Sequence, residues 1–77
     1  MESAYVIHVT HDDVKFISDG RVIFKREKEF VLIVTAGMKK VRITRMDESF
    51  VESFFPSDCF SLPLENGTYF VKITYQS

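Results

Sequence analysis

The side chains with most chemical capability in this chain are two histidines, one cysteine and a handful of carboxylates. His8, His11, Asp12 and Asp13 lie close together, and imidazole with carboxylate oxygen suits Zn²⁺ or a harder divalent ion. Their spacing is poor for that purpose. Histidines three apart cannot share one face of a strand, and His11-Asp12-Asp13 has the composition of a turn. Cys59 has no local motif that would pair it with either histidine; beside Phe55, Pro56 and Phe60 it reads as a small core residue rather than a nucleophile. The glycines at 20, 37 and 67 stand singly, so no glycine-rich loop is available to cradle phosphate. No metal, no cofactor and no enzymatic activity is expected from this set.

The basic residues carry more information. The chain has a formal net charge of −1, but the charge is unevenly spread. Residues 21–45 hold Arg21, Lys25, Arg26, Lys28, Lys39, Lys40, Arg42 and Arg45 against Glu27 and Glu29, and both flanking segments are acidic. A basic segment within a β domain could track a phosphate backbone, with Phe24 or Tyr69 as a stacking platform. The same charges also keep a small sheet soluble and discourage edge-to-edge pairing. With the whole chain close to neutral, single-stranded nucleic-acid binding is the second reading. The first is a protein-interaction module, acting as an inhibitor, adaptor or assembly component by occupying a surface, with self-association as one form of it.

That first reading rests on the elements that must hold these residues. Phe30-Val31-Leu32-Ile33-Val34 is the longest unbroken apolar run and is expected to be a central strand covered on both faces. Tyr5, Ile7 and Val9 alternate, as on a half-buried strand. Asp19-Gly20 predicts a hairpin that pairs Ile17 with Val22 and Phe16 with Ile23. Ala36-Gly37 predicts a second, with Leu32 opposite Val41 and Phe30 opposite Ile43, and with Lys40 and Arg42 beside Ile33 and Val31. Asn66-Gly67 predicts a third, setting Leu64, Leu62 and Phe60 opposite Tyr69, Val71 and Ile73. Pro63 makes the strand before that turn short, irregular or an edge. Phe50, Val51, Phe54 and Phe55 recur with helical spacing, Asp47 suits an N-cap with Met46 stapled to Val51, and Pro56 suits a stop; a short helix is expected near residues 48–55.

The whole reads as one all-β domain, residues 1–77: an antiparallel meander of six or seven strands with one short helix, partly closed into a barrel or sandwich. Its general plan is similar to that of small SH3-like or OB-like barrels, an analogy of architecture that carries no function. A chain of 77 residues buries only about 60% of the surface its unfolded form exposes, yet 45% of its residues are hydrophobic. Some apolar surface is therefore expected to remain for a partner, in a patch of Phe24, Val31, Phe55 and Phe70. One cysteine and no apolar signal segment at Met1 to Ala4 point to a reducing, cytoplasmic setting, and no apolar run is long enough for a membrane-spanning helix.

Overall fold

The computed structural model describes residues 2–16, 22–35, 37–55 and 59–76. Among them are eight strands and no helix: β1 (Glu2–Val9), β2 (Val14–Phe16), β3 (Ile23–Glu27), β4 (Phe30–Val34), β5 (Met38–Arg45), β6 (Val51–Phe54), β7 (Cys59–Leu62) and β8 (Gly67–Tyr75). They form two antiparallel sheets, one of five strands in the order β2-β1-β8-β5-β6 and one of three in the order β3-β4-β7. The sheets do not close into a barrel. No helix of the described residues is long and apolar enough to cross a membrane.

Alternation along each strand sends one set of side chains into the layer between the sheets. From the larger sheet come Tyr5, Ile7 and Val9 of β1, Val41 and Ile43 of β5, and Tyr69, Val71, Ile73 and Tyr75 of β8; from the smaller come Phe24, Val31 and Ile33. These join one core, against which Phe50, Phe54, Phe60 and Leu62 pack. Ring contacts bridge the layers, Tyr5 against Phe24 with centroids 5.5 Å apart and Phe54 against Phe60 at 5.2 Å. At the end of the core, the Tyr5 and Tyr75 hydroxyls lie 3.3 Å apart.

The predicted strands at β1 and β4 are present, and β4 is central to its sheet, between β3 and β7. The predicted hairpins fail in a consistent way. Gly37 and Gly67 both lie where the chain passes from one sheet to the other: β4 is in the small sheet and β5 in the large, β7 in the small and β8 in the large. Leu32 faces Lys25 and Ser61 rather than Val41, and Phe30 faces Glu27 rather than Ile43. Val71 and Tyr69 face β1 and β5, not Leu62 and Leu64. β7 is a short edge strand, as Pro63 beside it suggested. The turn at Asp19-Gly20 lies outside the described residues, but β2 and β3 on either side of it belong to different sheets. Among the described residues, the hairpins that form turn at residues 10–13, 28–29 and 46–50, none of which contains glycine.

The helix expected over residues 48–55 is replaced by β6, an edge strand paired to β5 with Val41 opposite Phe54 and Thr44 opposite Val51. Asp47 does receive a capping-type hydrogen bond, but as a turn: its carboxylate accepts the Ser49 N–H at 2.9 Å, and Glu48 takes the left-handed conformation with φ 62°. The Arg45 N–H then bonds the Phe50 carbonyl at 2.9 Å, which closes a hairpin loop and not a helical turn. Phe50 and Phe54 lean on the core while Val51 and Phe55 face out, so the four residues divide between two faces with the period of a strand. Two strand faces, with Phe50 and Phe54 on one and Val51 and Phe55 on the other, together imitate a helical stripe.

Candidate interaction surfaces

The predicted site residues are dispersed. Phe24 and Val31 are core residues, 4% and 0% exposed, and have no surface to offer. Phe55 and Phe70, 78% and 41% exposed, both face outward on the larger sheet. Of the basic residues, Arg21 lies outside the described residues. Lys25 and Lys28 belong to the small sheet and its turn, and Arg26 points inward, donating to the Leu64 carbonyl at 3.1 Å. Lys39 sits at a bulge in β5, Lys40 and Arg42 face outward on the large sheet, and Arg45 is drawn into the end of the core. His8 faces outward with its Nδ1 3.0 Å from the Thr68 hydroxyl, whereas His11 lies in the β1–β2 turn, where the Asp13 carboxylate accepts the Val14 N–H. Cys59 is not a core residue: it is exposed, opposite Val34 on the outer face of the small sheet.

That outer face is the first candidate surface. Register places Ile23, Val34 and Cys59 in one row, Lys25, Leu32 and Ser61 in the next, and Glu27 and Phe30 in the third. The expectation that β4 is covered on both faces is thus half right, since Val31 and Ile33 are sealed while Ile23 is 59% and Phe30 42% exposed and Leu32 and Val34 are half-buried. Among the described residues, the charged side chains on the rows of this face, Lys25 and Glu27, lie 3.8 Å apart and answer each other.

The outer face of the large sheet is the second. Its rows run Lys15-His8-Thr68, then Val6-Phe70-Thr44-Val51, then Ala4-Lys72-Arg42-Ser53, and finally Glu2-Thr74-Lys40. Lys15 and Lys72, which in sequence belong to the acidic flanks, here join Lys40 and Arg42 on one surface. Residues from five strands contribute, which no scan along the chain would group.

A third cluster, at one end of the core, is satisfied internally. Arg45 reaches Asp47 at 3.4 Å and Glu65 at 3.5 Å, donates to the Asn66 carbonyl at 3.0 Å and lies 5.8 Å from the centre of the Tyr69 ring. A Cβ on Gly67 would sit 3.0 Å from its guanidinium, so this glycine makes room for the arginine. Hydrogen bonds from the Ser49 hydroxyl and N–H, with Arg45 adding its charge, hold the Asp47 carboxyl below its ordinary value. Burial pushes the Tyr69 phenol upward, against the pull of Arg45, and its hydroxyl donates to the Glu65 carbonyl at 2.8 Å. A cleft of about 330 Å³ opens beside it, lined by Phe50, Pro63 and Glu65 among others. With its donors already engaged, Arg45 acts as a clasp between the β5–β6 turn and the segment leading into β8.

Among the described residues no three His, Cys, Asp or Glu side chains are grouped as metal ligands would be. Comparison with protein-family models, with curated proteins and with solved structures finds no match to this chain.

Proposed function

We propose that this chain is a protein-interaction module without enzymatic activity, which assembles with a second copy of itself through the outer face of the small sheet. The observation that carries the reading is the exposed row structure of β3-β4-β7, where Ile23, Phe30, Leu32 and Val34 share a face that no layer of the described residues covers. Burying a side chain of this size stabilises an association by roughly 1.5–3 kcal/mol when burial is complete. The face suits its own copy because Lys25 and Glu27 cancel locally, so two copies meet without like-charge repulsion.

Its size sets the strength. Three strands about 4.8 Å apart and five residues of about 3.4 Å each give a planar footprint of about 240 Å². A standard interface takes roughly 800 Å² from each partner, so the association is weak and depends on concentration. Light scattering or sedimentation across a wide concentration range is expected to show the monomer giving way to a dimer. Ile23→Lys and Leu32→Lys, checked for folding by circular dichroism, are expected to keep the chain monomeric. A parent chain that stays monomeric at every concentration overturns the reading.

A further inference from the structure

We infer that the outer face of the large sheet binds single-stranded nucleic acid, holding phosphates with Lys40, Arg42 and Lys72 and stacking bases on Phe70 and Phe55. A like-charge pair starts the argument. Arg42 of β5 and Lys72 of β8 stand directly opposite each other in the ladder, an arrangement that costs a sheet stability. Lys40, two residues along the same face of β5, brings a third cation to the same place. Together with Glu2 and Thr74 they line a shallow cleft of about 170 Å³. Glu2 answers Lys72 at 3.4 Å, and Arg42 has no carboxylate partner among the described residues. The neighbouring outward positions Thr44 and Ser53 are neutral, so the cations are confined to one part of the face. An anion seated in the cleft would turn the repulsion into attraction.

The aromatic residues identify the kind of anion. Phe70 lies one row from the Arg42–Lys72 pair, between Val6 and Thr44, and is 41% exposed. On the other side, the Lys40 ammonium is 5.9 Å from the ring centre of Phe55, which is 78% exposed just beyond β6. Neighbouring rows are about 6.8 Å apart along the strands. The face therefore presents ring, cations and ring in succession, the order in which an unpaired strand offers base, phosphate and base. A duplex keeps its bases stacked inside and cannot use the rings. An acidic peptide would satisfy the cations but leave the rings without a planar partner, and an anionic membrane calls for a broader projecting apolar surface than Phe55 alone supplies.

The experiment is a fluorescence anisotropy titration of a labelled oligothymidylate of about ten nucleotides, within the usual site sizes of such folds. At about 50 mM salt the parent chain is expected to bind, and three phosphate contacts give a slope of log affinity against log salt of about −2. Arg42→Thr is expected to weaken binding and to reduce the slope to about −1.4. Phe70→Leu, which keeps apolar bulk but removes the ring, is expected to weaken binding about five- to a hundredfold with the slope unchanged. Lys28→Gln, on the other sheet, is expected to bind as the parent does. Both outward-facing variants are to be checked by urea unfolding. No binding at about 50 mM salt overturns the inference, since low salt favours phosphate contacts. So does binding that Phe70→Leu leaves intact, or polyglutamate or phosphatidylserine vesicles binding as tightly as the oligonucleotide.

Discussion

The two sheets meet the core in the same way and meet the outside in opposite ways. On the small sheet, Ile23, Phe30, Leu32 and Val34 share a face on which Lys25 and Glu27 cancel; on the large sheet, Lys15, Lys40, Arg42 and Lys72 gather around Phe70 with Glu2 as the facing acid. Period-two alternation fixes which residues go inward, and it leaves the outward set free to differ. What distinguishes this molecule from any other small two-layered β fold is therefore written on the outward rows, and the two rows suit partners of different chemistry.

The sharpest way to break the comparison is to alter one residue on each side of the small sheet. Ile33→Ala, on the sealed side of β4, is expected to cost about 2–5 kcal/mol in urea unfolding. Ile23→Lys, on the open side of the same sheet, is expected to cost no more than about 0.5 kcal/mol while abolishing dimer formation in light scattering. If both lose stability equally, the outer face is not a free surface. A second test crosses the two faces: Leu32→Lys is expected to leave oligonucleotide affinity within about twofold, and Arg42→Thr to leave the dimer unaffected, because substitutions without shared partners act independently. Loss of both properties in either variant would join the faces into one site.

Smaller effects refine the picture. Arg42→Thr removes a like charge from opposite Lys72 and is expected to stabilise the chain by about 0.2–1 kcal/mol even as it weakens binding. A loss of stability in urea would mean that the pair is not repulsive. Smallest is the titration of the clasp at Arg45. Asp47 has a folded pKa below its ordinary 3.8, so its contribution is present above that value and is lost as pH falls through the lowered folded value. Tyr69 is raised from 10.0, so its contribution holds below that value and is lost as pH rises through the raised one. Stability profiles of Asp47→Asn and Tyr69→Phe are expected to be flatter than the parent's at the acid and alkaline ends respectively.

How much of this was legible in the sequence depended on whether the signal was local. The alternation of Tyr5, Ile7 and Val9 and the apolar run of β4 are properties of single segments, and both gave strands where expected. Strand pairing is not local. A glycine turn says that the chain reverses, and says nothing about whether it returns to the same layer or crosses to the other, as it does at Gly37 and Gly67. The clue to the β3–β4 hairpin, a lysine with φ 55° at position 28, has no compositional mark at all. Residues 50–55 misled because an edge strand and its flanks, with Phe50 and Phe54 on one face and Val51 and Phe55 on the other, reproduce the spacing of a helical stripe. The same non-locality scattered the candidate site: Phe24 and Val31 were apolar for the core's sake, and the cations of the large sheet come from strands distant in sequence.

The strand order β2-β1-β8-β5-β6 places the first and last described strands side by side at the heart of the larger sheet, joined also by hydroxyls 70 residues apart at Tyr5 and Tyr75. Closing so long a loop carries an entropic cost that must be met before its contacts stabilise anything, and folds dominated by such pairings are slow. During synthesis, β1 has to wait with Tyr5, Ile7 and Val9 uncovered until β8 leaves the ribosome. The newborn chain is thus most vulnerable to aggregation just before β8 emerges, when the other seven described strands are already in solution.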